Sequence, residues 1–463
     1  MSMKKLLIFT VCAIFLALTL VPAAAATSGG TYDISSPEYE TDIALLVNAD
    51  TDTVIYSKNA DQITAPASLT KIITAMVVLE GNPDLNRTIT CSSKAIHSLD
   101  GTGSSIVGLM EGETTTLEML LYCLLLPSAN DAAAVLAEEF GGTEAAFVEK
   151  MNAYAKGLGC THTHFANPHG LDDESFEGYD GEKQNQTTAE DLYKISKAAL
   201  QNETIKAISS KYGKTMPATN LSDERYLYNT NSLLNSYSYY YYDGAIGLKT
   251  GTTDKAGSCL ISSASKDGYS YISIALHGNG EYLADGQYRN TAFLTCRYML
   301  NWAFENLSMK TLADTSQNLG EVGVEFGRGS DYVALVPQEP VVAIVLNDIG
   351  LDDLKVELAD GFPQQIPAPV EEGDVIGEAK LTYGDVVVAK VTLVAQQAIK
   401  KNYLWAAFSW LVNIMSSKAF VPFALVLVVI IIALFISAKK HRQKKKRREN
   451  RVNVVKDYTR LGK

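Results

Sequence analysis

The chain has 463 residues, 47% hydrophobic and 20% charged, with a formal net charge of −12. That length has room for more than one domain of roughly 100–200 residues, and the composition excludes an intrinsically disordered chain. The charge is unevenly spread: the sequence from Lys439 onward is strongly basic, so the rest is more acidic than the whole, which argues against nucleic acid as a partner.

At the N-terminus, Lys4 and Lys5 precede an apolar run from Leu6 to Leu20 and a small-residue zone from Ala23 to Ala26. This pattern predicts a secretory signal peptide over 1–26, with an uncleaved anchor as the competing reading. Residues 27–40 read as a polar leader. IALLVNADTDTVIYSKN then predicts an N-terminal hairpin. Pro66 leads into SLTKIITAMVVLEG, a helix ending at Gly81. TTLEMLLYCLLLPSAND predicts a second helix, with Thr115 and Glu118 as a capping box and Pro127 as its stop. A third runs from Ala132 to Phe140, closed by Gly141-Gly142, and a fourth from Glu144 to Leu158.

Residues 160–190 form a long polar loop, and 188–210 return to helix. AIGLKTG, GSCLISSASKDG and YSYISIALHG predict three strands, with Asp267-Gly268 as a hairpin turn. Thr291 to Asn306 is a further helix. An early hairpin and a late meander suit one antiparallel sheet built from both ends of a domain over 41–308, with helices packed on it. The fold class expected is therefore α/β in the α+β sense.

Short β-type segments with Gly/Asp turns fill 315–396, a separate small all-β module. In 397–417, Asn402, Ser409, Asn413 and Ser416 share one helical stripe while Tyr403, Trp405, Phe408 and Trp410 lie elsewhere. A helix in the membrane interface fits; a juxtamembrane stalk is the alternative. The apolar run 419–438, interrupted by Pro422 and Ser437, is long enough to cross a bilayer. KKHRQKKKRR follows it directly and is expected to hold 439–463 in the cytoplasm, with the larger domains outside the cell membrane. Cys12 leaves with the signal peptide, and the five remaining cysteines give no disulfide framework. Cys123 and Cys259 sit in apolar runs and read as core residues.

Three short motifs carry chemistry: Ser68-Leu69-Thr70-Lys71, Ser128-Ala129-Asn130 and Lys249-Thr250-Gly251. S-x-x-K is expected by chance about once or twice in such a chain, and a second copy exists at Ser263 and Lys266. Geometry separates the two. Ser68 and Lys71 open a predicted helix, where i and i+3 share a face; Ser263 and Lys266 lie on a predicted strand, where they point to opposite faces. S-x-N also recurs at Ser57-Lys58-Asn59 and Ser316-Gln317-Asn318, but only Ser128-Ala129-Asn130 falls in a turn between helices. A serine hydroxyl needs a base beside it, and a lysine can serve once burial or a neighbouring cation lowers its pKa. Lys71 is the candidate base for Ser68, and Lys249 the neighbouring cation. Ser128 would relay the proton, Asn130 hold the substrate amide, and Lys249 and Thr250 bind a carboxylate. Gly251 would let substrate backbone approach the strand. The N–H groups of Ser68 and Thr252 would form the oxyanion hole.

The set S-x-x-K, S-x-N and K-T-G is the signature of penicillin-binding proteins and class A β-lactamases. With Pro66-Ala67 before the first motif, Asp131-Ala132 after the second, Asn167-Pro168-His169-Gly170-Leu171-Asp172 between, and Thr252-Thr253 after the third, the chain resembles the low-molecular-mass D-alanyl-D-alanine carboxypeptidases over about 38–305. The β-rich module resembles that family's C-terminal domain more weakly. The resemblance implies a β-lactamase/transpeptidase-like fold and removal of the terminal D-alanine from peptidoglycan stem pentapeptides through an acyl-serine. It also implies acylation of Ser68 by β-lactam antibiotics and no cofactor. The family's usual tether is an amphipathic helix, so a spanning helix with a basic tail is a departure. Endopeptidase, transpeptidase or β-lactamase action at the same residues, or a non-enzymatic wall-binding role, are the alternatives. The loop shows no class A glutamate pattern, with Asp172 and Glu174 the nearest carboxylates.

Four other features invite a functional reading. His162 and His164 lie near Asp172 and Asp173, but no third ligand has motif spacing, so no metal is expected. His169 reads as stabilising its own loop. Arg289 is a further candidate for carboxylate binding. The Tyr-rich run Ser236 to Tyr242 either lines the cleft or packs on the surface.

Overall fold

The structure is a computed structural model describing residues 32, 34, 41–172, 183–284, 288–417 and 420–460. The expected signal peptide, most of the leader, Asp173, Glu174 and Ala419 lie outside the described residues. Tyr32 and Ile34 of the leader are buried, and the Tyr32 N–H donates to the Ile55 carbonyl at 3.0 Å.

The chain divides into two compact units: 1–313 with 340–357 and 380–390, and 314–339 with 358–379 and 391–463. The first is built on a five-stranded antiparallel sheet. Its strands are β1 (Ile43–Asn48), β2 (Thr53–Lys58), β3 (Ala245–Thr253), β4 (Gly257–Lys266) and β5 (Tyr269–Gly278), in the order β2-β1-β5-β4-β3. Both ends of the domain thus meet in one sheet, with Ile43 opposite Leu276 and Lys249 opposite Ile261. β3 is an edge strand.

Seven helices of this unit bear on the argument. They are α1 (Lys71–Leu79), α2 (Leu117–Leu125), α3 (Asn130–Gly141), α4 (Glu144–Gly157), α5 (Ala189–Gln201), α6 (Glu203–Ser209) and α7 (Thr291–Asn306). Every residue of α1 is buried, so it is the core around which the others pack. Each large apolar side chain buried there stabilises by roughly 1.5–3 kcal/mol. α2 begins later than its capping box predicts: Thr116, not Thr115, accepts the Met119 N–H at 3.2 Å, because Thr114–Thr116 pairs with Thr88–Thr90. α3 closes at Gly142, whose φ of +74° suits glycine. Thr188, Asn202 and Asn290 cap α5, α6 and α7.

Elements absent from the sequence reading include the helix Ser93–His97 and a hairpin of Gly213–Met216 with Arg225–Tyr228. Both are too short for periodicity to register. The strand Leu307–Ala313 follows α7 directly and pairs with Val341–Leu346.

In the second unit, Gly320–Glu325 pairs antiparallel with Tyr332–Pro337 and parallel with Gln365–Pro367, while Leu335–Pro337 pair with Leu393–Ala395. α8 (Tyr403–Ser416) follows, capped by Asn402, and then α9 (Phe420–Arg460). Among the described residues, Val421–Arg448 of α9 is the one helix long and apolar enough to cross a membrane. The stretch read from sequence as a basic tail continues this helix as far as Arg460.

Candidate active site

Ser68 sits on a 3-10 turn, Ala67–Thr70, that feeds directly into α1. The turn is held tightly. Ala67 has φ +47°, a left-handed conformation that an alanine adopts only when its surroundings impose it. Its carbonyl accepts the Thr70 hydroxyl at 2.8 Å, and Thr70 in turn accepts the Asn185 amide at 3.0 Å. Asn185 also takes the N–H groups of Ala166 and Asn167 at 2.7 and 3.0 Å. The loop Asn167–Leu171 is thereby fixed to the serine turn. Gly170 makes this possible: with φ +87°, its missing Cβ would stand 1.8 Å from the Ala67 carbonyl oxygen.

Lys71 lies one helical turn on from Ser68, as the spacing predicts. Its Nζ reaches Ser68 Oγ at 2.8 Å and the His169 carbonyl at 2.7 Å, and the side chain is 0% exposed. Burial pushes the Lys71 amine well below its usual range; the charge of Lys249 adds to the shift and Asp131 opposes it. Lys249 is also buried, and burial lowers it to about 7. Its Nζ donates to the Thr250 carbonyl at 2.9 Å. His169 Nδ1 accepts the Leu171 N–H, and burial followed by the Lys71 charge lowers the ring to about 3, so the neutral imidazole braces its own loop.

The second motif closes another side. Ser128 has φ +65° in the turn between α2 and α3. Ser128 Oγ and Asn130 Oδ1 are buried polar atoms without a hydrogen-bond partner among the described residues, a costly state unless a ligand completes it. Asp131, which the motif reading passed over, is an organiser. Its carboxylate accepts the Val107 and Leu109 N–H groups at 3.2 and 3.0 Å, while the Asn130 N–H donates to the Ser105 carbonyl at 2.8 Å.

The third motif is on β3. Gly251 is needed for a different reason from the one its motif suggests. A Cβ there would lie 2.9 Å from the Ser68 nitrogen and 3.0 Å from Ala67 Cβ, so the strand edge rests on the serine turn itself. The Thr250 hydroxyl meets that of Thr230 at 2.5 Å, and the Thr252 hydroxyl donates to the Gly251 carbonyl at 2.8 Å.

Direct contacts thus bring Ser68, Lys71 and Gly251 together, and Lys249 lies near enough for its charge to act on Lys71. The duplicate motifs stand elsewhere: Ser263 Oγ donates to the Tyr271 carbonyl at 3.0 Å, and Ser316 Oγ to Asp314 at 2.6 Å. Asp172 accepts from Gln184 and from the Lys255 N–H. Among the described residues no group of three or more His, Cys, Asp or Glu side chains could hold a metal ion. Arg289 pairs with Glu281 at 3.1 Å. In the Tyr-rich run, Tyr240 stacks on Phe293 at 5.0 Å while Tyr237 is 96% exposed. The five cysteines among the described residues are buried free thiols. Asp131, Asn185, Gly170 and Thr230 were missed. The only signal for them was their nearness to motif residues, or to Asn-Pro-His-Gly.

The D-alanyl-D-alanine carboxypeptidase family model matches residues 31–280, and that of the penicillin-binding protein 5 C-terminal domain matches 307–401. D-alanyl-D-alanine carboxypeptidase DacF of Bacillus subtilis is 29% identical over 399 residues, 86% of this chain and 95% of its own. A D-alanyl-D-alanine endopeptidase of Escherichia coli is 33% identical over 250 residues, 54% of this chain and 75% of its own. The crystal structure of carboxypeptidase DacD from Francisella tularensis matches with a TM-score of 0.61 at 25% identity, covering 80% of this chain and 97% of that one. The fold is therefore that of the transpeptidase-like α/β enzymes, followed by a C-terminal β domain and a long apolar helix. The chain belongs to the D-alanyl-D-alanine carboxypeptidase family, as a serine-type penicillin-binding protein that acts on D-Ala-D-Ala peptidoglycan substrates.

Proposed function

We propose that Ser68 is the nucleophile and Lys71 its general base in removal of the terminal D-alanine from a stem pentapeptide. The contact that carries this reading is Lys71 Nζ at 2.8 Å from Ser68 Oγ, on an amine whose hold on its proton burial weakens. Ser68 Oγ attacks the carbonyl of the penultimate residue as its proton passes to Lys71. The tetrahedral oxyanion is held by the N–H groups of Ser68 and Thr252. Ser128 hands its proton to the departing D-alanine nitrogen and takes back the one held by Lys71, and the C–N bond breaks to leave an acyl ester on Ser68. Water then attacks the ester and frees the serine. Asn130 holds the substrate amide through Oδ1, an acceptor left unmet among the described residues. Lys249, protonated, and Thr250 hold the terminal carboxylate. A β-lactam enters the same way, with its ring nitrogen as leaving group.

The catalytic domain is assigned to 41–308 and the β-rich module to 315–396. The signal-peptide pattern, the apolar α9 and the basic residues after it support a single-pass protein of the cell membrane, with these domains outside and the tail in the cytoplasm. α8 would lie in the interface. Full-length protein in detergent should release D-alanine from a pentapeptide ending in D-Ala-D-Ala and bind a fluorescent penicillin covalently. Ser68→Ala should do neither; labelling that survives would move the nucleophile elsewhere. Cleavage of cross-linked dimers faster than release of D-alanine would favour the endopeptidase reading instead.

A further inference from the structure

The hairpin that the sequence reading missed presents an unusual outer face. Gly213–Met216 pairs with Arg225–Tyr228, Gly213 opposite Tyr228 and Thr215 opposite Tyr226. Cross-strand partners share a face, so Gly213, Thr215, Tyr226 and Tyr228 line one side, and Leu227 and Met216 the other. Leu227 and Met216 are buried, whereas Tyr226 and Tyr228 are 50% and 57% exposed. Tyr212, just before the hairpin, joins them. The Tyr226 and Tyr228 rings stand 4.4 Å apart and those of Tyr212 and Tyr228 6.0 Å apart.

The rings are seated, not loose. A Cβ on Gly213 would fall 2.4 Å from the Tyr226 hydroxyl and 2.6 Å from its Cε1, so the ring lies across the glycine and any side chain there would lift it. Cross-strand packing explains the seat, but not three half-exposed rings side by side.

The hairpin also borders the candidate active site on two sides. At one end, Arg225 Nη1 donates to the Val107 and Gly108 carbonyls at 3.1 and 3.0 Å, on the loop that Asp131 holds beside Asn130. At the other, Thr230, two residues past Tyr228, shares its hydroxyl contact with Thr250.

We propose that Tyr212, Tyr226 and Tyr228 form a platform for the sugar chain of the substrate; this rests on the peptidoglycan carboxypeptidase reading above. The stem peptide is joined to a chain of N-acetylated amino sugars, whose pyranose rings carry apolar C–H faces. A flat ring with its negative π face outward attracts such a face, and a pre-seated one loses little freedom in doing so. Exposed apolar patches of this kind mark binding surfaces. The location selects the occupant, because a peptide threaded into the cleft brings its own sugar with it. The platform would favour pentapeptides still attached to glycan over free ones.

Two measurements on full-length protein in detergent test this. In saturation-transfer NMR, a β-1,4-linked N-acetylglucosamine tetramer should receive transfer from the wild type and much less from Tyr226→Ala or Tyr228→Ala. In kinetics, each substitution should raise KM for uncross-linked glycan carrying pentapeptide about threefold to tenfold. KM and kcat for free pentapeptide should stay as in the wild type. Tyr228→Leu, which keeps an apolar side chain but removes the flat face, should behave like Tyr228→Ala. Equal losses on both substrates, a Tyr228→Leu variant that binds normally, or no tetramer binding by wild type would overturn the platform. So would a change in sedimentation on substitution, which would make a second copy of the chain the occupant. If wild type released no D-alanine from either substrate, the carboxypeptidase reading would fail, while tetramer binding would still judge the platform.

Discussion

Two lysines, Lys71 and Lys249, are buried within electrostatic reach of each other, and they must be in opposite states for the chemistry above. Lys71 accepts a proton only when neutral, so acylation rises as pH climbs through its depressed pKa. Lys249 binds a carboxylate only when protonated, so binding weakens as pH climbs past about 7. The pH profile of kcat/KM for a D-Ala-D-Ala peptide should therefore have an alkaline limb near 7. Lys249→Arg should remove that limb, whatever it does to the maximum, since a guanidinium does not deprotonate in this range. A profile that keeps the limb would separate it from Lys249. At Gly170 the expectation is steric. In Gly170→Ala, the new Cβ must push back Ala67 and the serine turn with it. Penicillin acylation should fall at least tenfold, a loss of roughly 1.4 kcal/mol of transition-state stabilisation. Normal acylation would mean that the turn yields without consequence.

The loop Ser105–Leu109 and the loop Asn167–Leu171 are each tethered by a polar side chain, Asp131 and Asn185, that hydrogen-bonds to their backbone. Asp131→Ala would leave the N–H groups of Val107, Leu109 and Ala132 without their acceptor. Hydrogen bonds to a charged group contribute about 1.5–3 kcal/mol each, so thermal unfolding should shift down by several degrees and turnover should fall with it. An unchanged Tm would show the loop to be held by other means. These tethers also mark the limit of what the residues reveal alone. Ser68 with Lys71 was legible because a spacing of three on a helix decides who meets whom. The strands of the sheet and α7 were legible because their patterns are long. Thr116 took the cap from Thr115 because a three-residue strand, itself invisible, reached that far. Asp131, Asn185 and Gly170 depend on contacts between segments far apart in sequence, for which no local pattern exists. The reason for Gly251 was hidden likewise, since only the folded chain brings the serine turn beneath it.

The C-terminal helix sets where the molecule works. Its residues from Val421 to Ile436 are almost all apolar and largely exposed, a surface that water does not tolerate at this length. A chain ending at Ser417 should leave the membrane fraction on cell fractionation, while the full chain should require detergent. A truncated chain that stays on the membrane would assign the anchoring to α8. Within the first unit, the sheet carries a consequence for how the molecule is made. Asn48 bonds to Ser270 across 222 residues, and the serine turn rests on Gly251 of the edge strand. A chain that emerges N-terminus first therefore delivers Ser68 and Lys71 long before β3 to β5 exist to enclose them. Contacts so distant in sequence form slowly. In the proposed mechanism the amine that activates the serine owes its lowered pKa to burial, so a half-made chain would hold an ordinary lysine beside an inert hydroxyl. Reactivity would then switch on only when the last strands dock, which protects the growing polypeptide from acylation before it is complete.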